Sequence, residues 1–293
     1  MGLFNDRKTI VLLVLPGLFV MLFAIAIPLV ISLGMSFVEW IGFGPMKFIK
    51  WDNYARLLKD GLFWRSLYNV FLLIVVTIFI QNVYAYFIAS ILVKLSAKTS
   101  QVLRTIYFIP ATLSLVVVTK LWVHIFHPSY GFLNKVIHII GIKDFGLSWL
   151  GNPKTAIWAV IWIMIWQGFG WAVLFLYGGL ITIPKDIIEA AEIDGASLLQ
   201  MQTKIILPYI MPVIQSVIII DIISSLKQME MVYLSTEGGP GGTTQFLAVY
   251  LYQRAFRYRE YGYGNAISVL FVLIAIFATV VIQRVFKKAL KDY

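Results

Sequence analysis

Six stretches of about 20 residues, each almost free of charge, decide what this chain can fold into. They run over 10–31, 70–93, 106–126, 156–181, 205–223 and 266–285. A helix needs about that many apolar residues to cross the hydrocarbon of a bilayer. Lipid offers no partner to an unpaired backbone group, so a spanning segment closes its hydrogen bonds within a helix or a barrel. No stretch alternates polar and apolar residues at period two over ten positions, which removes the barrel. The sequence predicts an all-α membrane protein of six transmembrane helices, with residues 1–293 as a single transmembrane domain.

Composition points the same way. Of the 293 residues, 60% are apolar and 13% charged, about half the charged fraction of a soluble domain. The net charge of +10 raises nucleic acid as a partner. The basic residues, however, lie in short clusters between apolar runs, a pattern suited to anionic lipid headgroups. Membrane lipid is therefore expected and nucleic acid is not. With no cysteine in the chain, disulfides, thiolate metal sites and cysteine nucleophiles are excluded. Asp6, Arg7 and Lys8 precede an apolar run over 9–38. That run is far longer than the roughly 7–15 residues of a signal sequence core, so it is expected to remain as the first span.

Six crossings put both termini on one side. With the termini inside, the inner segments 1–8, 94–104, 183–204 and 284–293 hold 11 Lys or Arg in 51 residues. The outer loops 39–68, 127–155 and 224–263 hold 12 in 99. The nearly two-fold difference in density favours cytoplasmic termini. Trp40, Trp51, Trp64, Trp122 and Trp149 fall at or beyond outer span ends, as an interfacial belt would. Pro16, Pro28, Pro110, Pro208 and Pro212 sit in or at the ends of spans and imply kinked helices in a bundle.

The loop over 183–208 carries the most specific pattern. Pro184 suits a first helical turn, good helix formers follow, and Gly195 separates two short helices. Asp186, Glu189, Glu192 and Asp194 offer a charged side, while Ile187, Ile188 and Ala191 offer an apolar one. Such a knob on an inner loop needs a socket. The spacing of Glu189, Ala190, Ala191, Gly195, Ile205, Leu207 and Pro208 resembles the signature of ABC importer permeases. In that family the segment is the coupling helix, which docks in a cleft on the ATPase subunit.

A second stretch narrows the group. Leu234 to Thr244, rich in glycine, followed by Tyr250, Tyr252, Ala255 and Phe256, resembles the outer loop of the carbohydrate permeases of the maltose and glycerol-3-phosphate type. Asn53, Tyr54, Phe63 and Trp64 fit the same group. On physical grounds alone, Gly238 to Gly242 is a sharp turn before another helical segment.

The resemblance implies the type I ABC importer permease fold and a bacterial or archaeal cytoplasmic (inner) membrane. Its implied partners are a second related permease subunit, a dimer of ATPase subunits and an extracytoplasmic solute-binding protein. ATP and Mg would be bound by the ATPase alone. This chain has no glycine-rich phosphate loop ending in Lys and Ser or Thr, and is expected to be a non-catalytic subunit.

Polar groups within the spans are candidates for the solute path, because lipid-facing positions exclude them. Gln81 and Asn82 lie in span two, Trp162, Trp166 and Gln167 in span four, and Asp221, Ser225 and Gln228 at the outer end of span five. Asp221, Ser224, Ser225 and Gln228 fall on one helix face, and Trp158, Trp162 and Trp166 recur at intervals of four. Aromatic faces suit the C–H surface of a sugar, and carboxylates and amides suit its hydroxyls. Each of these residues could equally pack or bridge helices. His124 and His127 lack the further ligands that a metal would need. A sugar or oligosaccharide is the expected solute. Glycerol-3-phosphate or another small polar solute is the alternative, and an ion-coupled secondary transporter is disfavoured by the absence of internal repeats.

Overall fold

The computed structural model describes residues 7–141 and 148–289. Asp6, Lys143 and Lys291, three of the charged residues considered above, lie outside the described residues. The helices in chain order are α1 Val11–Met35, α2 Asp52–Lys59, α3 Gly61–Lys94, α4 Ala97–Thr112, α5 Leu115–Ile125, α6 Phe132–Ile139 and α7 Ala156–Leu180. They continue with α8 Lys185–Ile193, α9 Leu198–Tyr209, α10 Met211–Lys227, α11 Glu230–Ser235, α12 Leu247–Tyr252 and α13 Tyr261–Lys287. Among the described residues, α1, α3, α7 and α13 are each long and apolar enough to cross a membrane, and the pairs α4–α5 and α9–α10 raise the number to six if each is one crossing.

Both pairs are sharply bent, where the sequence suggested single runs. The α4–α5 bend is 93°, and the α9–α10 bend is 67°. In the second, Pro212 has no N–H for the Pro208 carbonyl, and the helix restarts with Val213 and Ile214 both donating to the Ile210 carbonyl. In the first, Leu113 and Ser114 are extended and end the α-helical turns that began at Ala97. The long helices also widen into π-type turns at Leu22–Ala26, just before Pro28, and at Thr77–Gln81.

The chain divides into two compact units, residues 1–60 with 251–273, and residues 61–250 with 274–293. In the first unit, α1 buries none of its apolar window within the chain, which suits a helix solvated by lipid. A two-stranded hairpin follows, with β1 Val38–Glu39 antiparallel to β2 Lys47–Phe48. The buried Asn53 amide donates to the Ser36 and Val38 carbonyls at 2.9 and 3.0 Å, and Tyr54 shares a 2.7 Å bond with the Ser36 hydroxyl. Asn53 and Tyr54 therefore tie the turn after α1 to α2. Arg56 and Arg254 both reach Glu260, at 2.7 and 3.2 Å, and Tyr263 donates to Asp60 at 2.7 Å.

The second unit is a helical bundle whose core lies among α3, α7 and α10. Ala85, Ala89 and Leu92 of α3 are buried with Ala172, Val173 and Leu176 of α7 and Val217 of α10. Small residues let these backbones approach where apolar burial gives no driving force between lipid-facing helices. At Gly170 the approach is closest: a Cβ there would meet the backbone of Tyr107 and Phe108 on α4. The glycine-rich loop forms a compact cap. Asn69 of α3 donates to the Thr243 and Gln245 carbonyls at 2.9 and 2.8 Å, and Thr236 and Thr244 share a 2.7 Å bond across the loop.

Candidate functional site

A cavity of about 440 Å³ opens among α3, α7 and α10. Its polar lining comes from Thr77 and Gln81 of α3, Gln167 of α7, and Asp221, Ser224, Ser225 and Gln228 at the end of α10. The α10 residues share a face because they stand three, four and seven positions after Asp221. The π-type turn over Thr77–Gln81 admits an extra residue per turn, and both of its ends point into the cavity. The Gln81 amide lies over Gly168, 3.6 Å from where a Cβ would sit. Next to it, the Asn82 amide donates to an Asp221 oxygen at 2.7 Å and so joins α3 to α10.

The tryptophans are arranged differently from the expected path. Trp162 is half exposed, and its ring meets Trp122 edge-on, with centroids 6.1 Å apart. Trp166 packs against the same ring at 5.5 Å. Neither lines the cavity. Its aromatic wall is instead Trp171 and Phe175, whose centroids lie 5.9 Å apart. Gln167, Trp171 and Phe175 recur at intervals of four, which puts them on one face of α7. His124 and His127 both meet Tyr130, which stacks on His127 at 3.6 Å.

The loop after α7 is built as the sequence indicates, with one addition. Helix α8 ends in a Schellman turn: Gly195 takes φ +74°, its N–H reaches the Glu192 carbonyl, and the Ala196 N–H reaches the Ala191 carbonyl. Ser197 then caps α9 reciprocally with Gln200, at 3.3 and 2.8 Å. Glu189, Ala190 and Glu192 are exposed, while Ala191 is buried. The apolar tip lies elsewhere than expected. Ile193, Leu198 and Leu199 are 85, 78 and 73% exposed, on the two sides of the Gly195 turn. Ile205, Leu207 and Pro208 are half-buried along α9. The seven motif positions thus divide into an exposed turn and an inward-packed helix leading to the Pro212 bend.

Residues 81–292 match the family described as binding-protein-dependent transport system inner membrane component. The trehalose/maltose transport system permease protein MalF of Thermococcus litoralis is 32% identical over 282 residues, which cover 96% of this chain and 94% of that one. The multiple sugar-binding transport system permease protein MsmF of Streptococcus mutans is 34% identical over 251 residues, 85% of each chain. A solved bacterial alginate ABC transporter, in complex with alginate pentasaccharide-bound periplasmic protein, contains a chain that superposes with a TM-score of 0.82. That match covers 95% of this chain and 94% of the other at 22% identity, and it is a likeness of fold. The helices have the type I ABC importer permease arrangement, and the chain belongs to the family of binding-protein-dependent transport system inner membrane components.

Proposed function

We propose that this chain is one of two permease subunits of an ATP-driven importer for a sugar or oligosaccharide, with the Asp221 cavity as its share of the solute path. The observation that carries the reading is the chemistry of that cavity. A carboxylate, three amides and three hydroxyls (from Thr77, Ser224 and Ser225) face the aromatic pair Trp171 and Phe175. Hydroxyls of a sugar need the first set and its C–H faces need the second. The volume of about 440 Å³ falls within the usual range of small-ligand sites. The sugar systems named for the two relatives support the same solute class.

In this reading, a solute-binding protein delivers the sugar from outside, and a second, related permease completes the path. Two ATPase subunits, which hold ATP and Mg, close on the exposed turn around Glu189 and Gly195. Both termini and that turn face the cytoplasm. The chain itself performs no chemistry; its part is to move α9 and α10 when the ATPase moves α8.

The test is reconstitution of the four components in proteoliposomes. Radiolabelled maltose, trehalose and glycerol-3-phosphate are offered with and without ATP. Sugar uptake that requires ATP, the binding protein and the sibling permease is the expected result. Uptake by this chain alone on a proton or sodium gradient, or of glycerol-3-phosphate in preference to every sugar, would overturn it.

A further inference from the structure

A second groove, of about 590 Å³, adjoins the Asp221 cavity. Asp221 lines the first space, Asn82 lines the second, and Val217 lines both, so the Asn82–Asp221 hydrogen bond stands where they meet. Most of the groove wall is apolar, but one face of α3 is not. Asn82, Tyr86, Ser90 and Lys94 follow one another at intervals of four, which stacks them along a single stripe of the helix, and all four line the groove. Opposite them, Gln202 of α9 accepts a hydrogen bond from the Tyr86 hydroxyl. The Asn82 Oδ1 atom is buried without a hydrogen-bond partner. A buried acceptor left open is costly, and polar side chains within membrane helices are kept where a polar species passes or binds.

We propose that this stripe is the inner half of the solute path. A hydroxyl-bearing solute leaves the Asp221 cavity when the Asn82–Asp221 and Tyr86–Gln202 hydrogen bonds part. It then moves toward the Lys94 end of α3, donating to the open Asn82 oxygen and exchanging partners with Tyr86 and Ser90. Until they part, the Asn82–Asp221 bond closes the way between the spaces and the Tyr86–Gln202 bond crosses the groove beyond it, so the residues that seal the path also solvate the solute within it. The inference rests on the reading of the Asp221 cavity as a sugar site.

The chain has no cysteine, so a single introduced thiol reports on its own surroundings. Ser90→Cys is compared with Ile91→Cys, which is exposed on the neighbouring face and does not line the groove. Both are made in the complete transporter in inside-out vesicles and treated with a cationic methanethiosulfonate, with the label read on this chain by mass. The Ser90 Oγ is itself buried in this structure, so in the state whose inner path is open to water Ser90→Cys should react at least about tenfold faster than Ile91→Cys, whose apolar setting suppresses the reactive thiolate. Its rate should change when the ATPase is trapped with ATP and vanadate. Equal rates for the two thiols in both states would overturn the proposal. Labelling requires no knowledge of the solute. Fast labelling in a transporter that moves no sugar therefore overturns the sugar reading alone, and slow labelling in one that does overturns the path alone.

Discussion

A carboxylate inside a membrane helix persists only where something partners it. For Asp221 that partner is the Asn82 amide at 2.7 Å, and the rest of its surroundings are the amides and hydroxyls of the cavity. A hydrogen bond to a charged group contributes about 1.5–3 kcal/mol, and a deletion in a solute site forfeits that amount. Asp221→Ala is expected to lower ATP-driven uptake by about tenfold or more while the subunits still co-purify and the binding protein keeps its affinity for sugar. Trp171→Ala should also lower uptake, because its ring forms the cavity wall. Trp166→Ala should behave otherwise. Its ring rests on Trp122, so the variant should lose thermal stability and keep uptake near the wild-type level. Normal uptake by both Asp221→Ala and Trp171→Ala would move the path elsewhere. At Gly195 the backbone alone sets the cost: φ is +74°, and no atom lies within 4 Å of an added Cβ. Gly195→Ala should therefore destabilise the turn by about 1 kcal/mol. Gly195→Pro, whose ring holds φ near −65°, cannot form the turn at all. The measurement is retention of the ATPase through purification, slightly reduced for the first variant and lost for the second.

At the scale of elements, α8 and its turn present charge and apolar surface together. Glu189 is exposed beside a tip of Ile193, Leu198 and Leu199, which is more apolar surface than a solvated linker retains. Removing a charge from a docked interface costs about 2–5 kcal/mol where its partner stays buried, whereas a solvated carboxylate contributes well under 1. Glu189→Lys should release the ATPase or leave it hydrolysing ATP without moving solute, as read by co-purification and by ATP turnover per sugar imported. Wild-type values for both would reduce the turn to a linker. Apart from the Ser197 cap, which was the addition, this element was largely legible in the sequence, because Pro184 and Gly195 are each tied to one backbone position of a helix pair. The apolar tip was not, since Ile193 falls at a helix end, where period gives no face. The cavity was half legible. Asp221, Ser225 and Gln228 stand out as a polar stripe within an apolar run, and Gln81 and Asn82 stand out in the same way. Helix α7 carries a fainter cue, Gln167 with Trp171 and Phe175 at intervals of four in an otherwise apolar helix, and its rotation is set by the contact of Gly170 with Tyr107 and Phe108. Spacing placed Trp162 and Trp166 on one face, but only tertiary contact shows that this face meets Trp122. The close approach of Gly170 to Tyr107 and Phe108 predicts that Gly170→Val will push α4 from α7 at a cost of about 1–3 kcal/mol, seen as a lower melting temperature in detergent.

For the whole molecule, the number of crossings turns on the two bent pairs. A bend of 93° between α4 and α5 allows two geometries, a broken helix that crosses or a loop that re-enters and returns to its own side. The composition of the pair distinguishes them. The first nine residues of α4 carry Lys98, Ser100, Gln101, Arg104 and Thr105, which belong outside the hydrocarbon. The mainly apolar run begins at Ile106 and continues through the bend to Phe126, with Lys120 as its one Lys, Arg, Asp or Glu. That run of 21 residues is as long and as apolar as a crossing segment. A re-entrant loop would need polar surroundings for its turn, yet Leu113 is followed by the four apolar residues Leu115 to Val118 with only Ser114 between. This composition favours a broken crossing, and on that reading residues on its two sides face opposite solutions. In a chain without cysteine, Lys98→Cys and Ser129→Cys test this directly, since both positions are exposed and flank the pair. With a membrane-impermeant maleimide, Lys98→Cys should label only in inside-out vesicles and Ser129→Cys only in right-side-out vesicles. Labelling of both from one side would make α4–α5 re-entrant, leave five crossings, and place the two termini on opposite faces of the membrane.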